Sequence, residues 1–174
     1  GSINFQELFG IAYNGTYFAI AEGTGELIYI WEGIPSKSDE PIFTLINPVG
    51  VGRLDMNQEW LVVAAYPGDQ ASVHVIKLNE LSSGQLLPIE NYRSFPQGVS
   101  INEKGFFIAL QGDNKVIGWT SVDEALSGKQ PSMSFGGKDD KSNLGTKMAS
   151  AVGWDGVHLW VGEFKFSNRL LGFK

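Results

Sequence analysis

Charged side chains placed to do chemistry are few in this chain, and most lie in short loops between apolar runs. Glu163 and Arg169 bracket the loop Phe164-Lys165-Phe166-Ser167-Asn168. Glu22 and Glu26 frame Glu22-Gly23-Thr24-Gly25-Glu26 with no basic neighbour. Two carboxylates in a glycine-rich loop offer oxygen ligands of the kind calcium takes. The loop lacks the Asp-x-Asp-x-Asp-Gly spacing of a calcium loop, so its plain reading is a solvated turn and no cofactor is predicted. Asp69 and Asp113 sit in comparable loops, and Phe164 and Phe166 flank Lys165. Two aromatic rings beside a cation suit recognition of a protein or a glycan. The candidate partner-binding set is therefore Glu22, Asp69, Asp113, Glu163, Lys165, Phe164 and Phe166, against the bland reading that these are turns, an ion pair and packing.

No catalytic set emerges. The two histidines, His74 and His158, fall at different places in the sequence pattern described below, and neither has metal-ligand spacing to a second donor. No cysteine exists, which excludes disulfides and thiolate metal sites but does not settle the compartment. No GxSxG elbow, GxxxxGK[ST] loop or GxGxxG opening a helix is present. The Gly-rich segments thus read as turns rather than phosphate cradles.

The elements that position these groups recur four times. The phrase is an apolar strand, a turn, an apolar strand ending in a small residue, a polar loop, and a third apolar strand. Its copies begin at Gly10-Ile11-Ala12-Tyr13-Asn14-Gly15, Arg53-Leu54-Asp55-Met56-Asn57, Gly98-Val99-Ser100-Ile101-Asn102 and Ala151-Val152-Gly153-Trp154-Asp155-Gly156. The equivalent second-strand residues Ile20, Val63, Ile108 and Val161 lie 43, 45 and 53 residues apart. A period of roughly 40–50 residues with several short strands per unit marks a β-propeller. Asn14-Gly15 and Asp155-Gly156 carry hairpin chemistry, because primed turns need positive φ. Ala21, Ala64, Ala109 and Gly162 close the second strand with a small residue where blades crowd together, and the five tryptophans fill the wider gaps between blades.

Fourth strands are expected after Ser/Gly/Pro linkers, at Ile42–Leu45, near Tyr92–Phe95 and at Ser132–Phe135, with one helical turn over 121–126. The repeats then span about 10–47, 48–95, 96–147 and 148–174. The stretch 3–9 can supply the strand the last copy lacks, and Gly1-Ser2 reads as a tag remnant. The expected fold is all-β: one propeller of about four four-stranded antiparallel blades.

Ile28-Tyr29-Ile30-Trp31-Glu32-Gly33-Ile34-Pro35, Asn114-Lys115-Val116-Ile117-Gly118-Trp119 and Asn168-Arg169-Leu170-Leu171 resemble the phrases of NHL-repeat propellers. The resemblance is to the repeat and not to an activity. It implies an acid–arginine pair at Glu163 and Arg169, and it departs most in the second copy, where Tyr66-Pro67-Gly68-Asp69 stands in for the acid. Members of that family include protein- and RNA-binding scaffolds, lyases and lactonases, so fold alone does not give function.

A net charge of -6 argues against a general nucleic-acid surface. Apolar runs are too short to span a membrane as helices. The reading is a non-catalytic binding or scaffold propeller that takes a protein or glycan on one face. Two alternatives stand beside it. One is a lyase- or lactonase-type enzyme with a metal in the central channel, which Asp55 and few other inner acids serve poorly. The other is a structural piece of a larger surface or extracellular protein; the sequence does not name the compartment, and an extracellular or cell-surface location is the expectation. In solution either a monomer or a homodimer completing a larger ring is expected.

Overall fold

Alternating apolar residues, cut by turn residues every few positions, fold here into antiparallel sheets and almost nothing else. The computed structural model describes residues 3, 5–23, 26–46, 52–64, 72–88, 95–137, 145–164 and 167–174. Blade 1 holds β1 (Leu8–Tyr13), β2 (Tyr17–Glu22), β3 (Leu27–Glu32) and β4 (Phe43–Ile46). Blade 2 holds β5 (Leu54–Met56), β6 (Trp60–Ala64), β7 (Ser72–Lys77) and β8 (Gln85–Pro88). Blade 3 holds β9 (Pro96–Asn102), β10 (Gly105–Leu110), β11 (Lys115–Trp119) and β12 (Met133–Gly136). Blade 4 holds β13 (Ala149–Trp154), β14 (Leu159–Glu163) and β15 (Leu170–Phe173). Strands in each blade pair in sequence order, and every pairing is antiparallel.

The registers reproduce the sequence columns. Ile11 pairs Ile20, Leu54 pairs Val63, Val99 pairs Ile108 and Val152 pairs Val161. Because side chains alternate across a strand, each blade has a front face toward the preceding blade and a back face toward the next. Blade 1's back, with Ala12, Ala19, Ala21, Ile28 and Ile30, packs on blade 2's front, with Leu54, Met56, Leu61, Val63 and Ile76. Blade 2's back, with Val62, Ala64, Val73 and Val75, packs on blade 3's front, with Val99, Ile101, Phe106, Ile108, Ile117 and Trp119. Blade 3's back, with Phe107, Ala109 and Val116, packs on Leu159 and Val161 of blade 4. The core is thus three interblade layers. Three of the small residues expected at the end of the second strand, Ala21, Ala64 and Ala109, lie fully buried within them, and the fourth, Gly162, lies on the back of blade 4 outside them.

Two repeated devices fix the blades. The outer tryptophan of the third strand donates its indole N–H to the linker carbonyl ahead of the fourth strand: Trp31 to Asp39 at 3.1 Å and Trp119 to Lys129 at 2.8 Å. The turn after the inner strand is closed by its Asn or Asp, whose Oδ1 accepts backbone amides. Asn14 receives Thr16 and Tyr17, Asn57 receives Glu59 and Trp60, Asn102 receives Lys104, and Asp155 receives Val157 and His158. Asn14 Nδ2 also donates to the Asn57 carbonyl at 2.6 Å, linking one blade's turn to the next.

The structure moves two elements. The fourth strand of blade 2 is β8, not a run near Tyr92–Phe95. A short 3-10 turn over Leu81–Ser83 already reverses the chain, so Gln85–Pro88 reaches β7 at once. Residues 89–94 lie outside the described part, and Phe95 precedes β9. Blade 4 shows three strands among the described residues. The N-terminal stretch instead lies along blade 1, where Phe5 meets the edge of Tyr29 at 5.6 Å and the Glu7 carbonyl accepts the Gly23 amide at 2.8 Å. The helical turn expected at 121–126 is α1 (Val122–Leu126), capped by Ser121 Oγ, which accepts the Glu124 amide.

Candidate functional site

Three inner strands, β5, β9 and β13, face a common axial cleft of about 450 Å³. Its walls carry Arg53 and Asp55 from β5 and its approach, Ser100 and Asn102 from β9, and Ala151 and Trp154 from β13. Inner strands must present their edges here because the interblade faces are spent on packing.

The charged groups of the cleft are already engaged. Asp55 accepts the Ile101 amide of the next blade at 2.9 Å on one oxygen and the Met56 amide at 2.9 Å on the other. Burial pushes its carboxyl up, against the hydrogen bonds from Ile101, Met56 and the Ser100 hydroxyl, which pull it down. Arg53 donates across the axis to the Ser150 carbonyl, tying blade 2 to blade 4. Two donors are not engaged. Asn102 Nδ2 and Trp154 Nε1 are buried nitrogens without a hydrogen-bond partner. Both residues are partly exposed and line the cleft, and Trp154 also packs on the layer between blades 3 and 4. Both sit where the inner strand enters its turn, which places the unsatisfied donors at the turn end of the cleft.

The sequence-derived candidates belong to the other end, the loops between second and third strands. Glu163 is buried and clamped. Arg169 grips it with Nε on Oε2 at 2.7 Å and Nη2 on Oε1 at 2.9 Å, the Lys147 amide donates to Oε1 at 2.5 Å, and the Ser167 hydroxyl donates to Oε2. Burial alone would raise its pKa, but the hydrogen bonds from Arg169, Ser167 and Lys147 outweigh it and hold the carboxyl below its ordinary range. This is the strand-bridging ion pair that the resemblance implies. Glu22 is buried as well. Asp113 keeps one buried carboxylate oxygen without a donor. Its neighbour Asn114 accepts the Met148 amide and the Thr146 hydroxyl, which ties this loop to blade 4. Phe164 is half exposed. Asp69, Lys165 and Phe166 lie outside the described residues.

The histidines stay apart. His74 is buried on β7 against the Gly84 backbone, and burial lowers its pKa. His158 lies 3.4 Å from Asp155, whose carboxylate also accepts the Trp160 indole N–H at 2.7 Å. Among the described residues no group of three His, Asp or Glu side chains converges on a metal-sized site. Nor does any helix of the described residues have the length and apolarity to cross a membrane.

Asn102 and Trp154 were not singled out by sequence reasoning. Asn102 carries the repeat's turn signal and Trp154 its bulky column, and a spare hydrogen-bonding atom leaves no trace in either.

Neither a family model nor a curated protein matches the chain. Solved structures do. A chain from the crystal structure of a nidogen/laminin complex superposes with a TM-score of 0.72 at 13% identity, over 98% of this chain and 60% of that one. The computationally designed Ika4 protein superposes at 0.63 and 13% identity, over 99% of this chain and 94% of its own. The Cps50 (Swd1) β-propeller domain of Myceliophteria thermophila superposes at 0.67 and 7% identity, over 92% of this chain and 50% of that one. At such identities the likeness establishes the fold, an all-β propeller of four blades. This chain spans 60% of the nidogen/laminin chain and half of the Cps50 chain.

Proposed function

We propose that this propeller has NHL-like blades and works as a non-catalytic binding scaffold that seats a protein partner at its axial cleft. One observation carries the reading. The cleft's charged groups hold the blades together, while two N–H donors at its turn end are left unspent. A buried donor without a partner costs roughly 1–3 kcal/mol, and an acceptor from a ligand recovers that cost. Backbone carbonyls of a partner loop are such acceptors, and the surrounding Ala151, Val152 and Val99 supply apolar wall. Half-exposed Phe164 offers a second contact at the loop end. The superposed chain from a complex of nidogen with laminin is in keeping with a propeller used for protein docking.

The test is to pan a displayed peptide library on the protein and titrate the enriched peptides against Trp154→Phe, which keeps the ring and removes the N–H. Loss of one hydrogen bond of about 1 kcal/mol weakens binding roughly fivefold. Peptides that bind the variant as well as the parent place recognition elsewhere and overturn this reading.

A further inference from the structure

The front face of blade 1 is built like the front faces that other blades bury. In blade 3 that face is Val99, Ile101, Phe106, Ile108 and Ile117, each at most 6% exposed beneath blade 2. The same columns in blade 1 are Ile11, Tyr13, Phe18, Ile20 and Tyr29. Ile11 is 64% and Tyr13 47% exposed, and the other three are partly exposed. Glu22, buried at the end of β2, stands on this face and Phe5 covers the edge of Tyr29, while the remaining rings form a continuous ladder, Tyr13 on Phe18, Phe18 on Trp31 and Tyr29 on Trp31.

The back face of blade 4 is the matching remainder. The back face of blade 1 sets Ala12, Ala19 and Ala21 beside Ile28 and Ile30, and that of blade 3 lays the Phe107 ring over Gly118 beside Ala109. On blade 4 the same columns read Gly153, Trp160, Gly162, Leu170 and Gly172, with Leu170 67% exposed. On blade 4 the Trp160 ring lies over Gly172 as Phe107 lies over Gly118 on the buried back of blade 3, so the bulky head and this tail are the two halves of one interblade joint. Among the described residues they are not packed against each other.

We propose that a second copy of this chain fills both, head to tail, so that two four-blade arcs close one eight-blade ring through two identical joints. The occupant follows from continuity with the joints inside the chain. A second copy carries, column for column, the face that blades 2 and 3 already use. A head-to-tail contact that closes on itself satisfies each head and each tail once and leaves no exposed end.

The test reads mass alone and so stands apart from partner binding. Light scattering after size exclusion, from 1 to 100 µM, gives twice the 19.0 kDa chain mass if the ring closes. A single-chain mass throughout overturns the proposal and leaves both ends to further blades of a longer chain. A trimer or larger overturns two-copy closure. Ile11→Lys and Leu170→Lys change residues that are about two-thirds exposed in the single chain, and far-UV circular dichroism confirms that each variant is folded. A lysine buried without a partner weakens association on the order of 100-fold or more, so each variant alone runs as a monomer. Mixed together they associate, because the intact head of one meets the intact tail of the other. A dimer that survives either lysine, or a mixture that stays monomeric, refutes the head-to-tail joint.

Discussion

Gly98 on β9 lies close against the neighbouring inner strand β13, and adding one methyl group there tests the packing argument directly. A Cβ at Gly98 would lie 2.9 Å from Ala151 Cα, 3.0 Å from the Ser150 carbonyl oxygen and 3.1 Å from Val152 N. Comfortable contact is about 3.5–4.0 Å, and all three atoms are backbone of β13, which cannot swing aside. Overpacking of this kind costs about 1–3 kcal/mol. Stiffening the unfolded chain by replacing glycine returns about 0.4–1 kcal/mol. Gly98→Ala should therefore destabilise by roughly 1–2 kcal/mol. For a chain of this size that lowers the melting temperature by roughly 2–8 °C, at about 2–4 °C per kcal/mol. Gly153 supplies the control. It lies on the inner strand β13, has no positive φ, and an added Cβ meets nothing within 4 Å. Gly153→Ala should gain about 0.4–1 kcal/mol. Urea and thermal unfolding of both variants decide the matter. If Gly98→Ala melts at or above the parent, or if both variants shift alike, close approach of β9 to β13 is not what excludes a side chain at Gly98.

Two further outcomes follow from buried titrating groups. Glu163→Gln keeps the shape of the clamp but cannot accept from Arg169, Ser167 and the Lys147 amide together, and should cost roughly 1–3 kcal/mol at neutral pH. Because the folded pKa of Glu163 is depressed, its contribution is present above the unfolded value of about 4.3 and is lost as pH falls through the folded one. Chemical denaturation at pH 3–7 should show a flatter acid limb in the variant, and an unchanged limb would mean the clamp contributes nothing. His74 has a lowered folded pKa, so below about 6.5 the unfolded chain binds a proton that the folded chain resists. Stability should fall from pH 6.5 downward by up to about 1.4 kcal/mol per pH unit until the folded pKa is passed. Persistence of that slope in His74→Phe would remove His74 as its source.

The architecture was legible because the interblade columns are written in residue size as well as polarity. Ile20, Val63, Ile108 and Val161 fall in one column and Ala21, Ala64, Ala109 and Gly162 in the next, so both period and register could be read. The Glu163–Arg169 clamp was legible only through the resemblance, whose repeat phrase sets an acid and an arginine at these two positions. The fourth strand of blade 2 was misread because Ser82-Ser83-Gly84 looks like the start of a long linker, whereas Leu81–Ser83 coils into one tight turn and Gln85 is already in the sheet. The cleft was the least legible part. That Asp55 is taken by Ile101, and that Arg53 reaches Ser150, depends on the angle between blades, which no local pattern encodes.

The three interblade layers carry a consequence for how the chain reaches this state. Each layer joins neighbours in sequence, so its apolar contacts need only one short connection closed at a time. The chain behaves as a one-dimensional array, in which a blade leaving the ribosome condenses on the finished face of the one before it. Blades 2 and 3, covered on both sides, should hold their amide protons longest. In a single chain, blades 1 and 4, covered on one side, should open first by local unfolding from the ends inward, and closure of the ring should remove that difference.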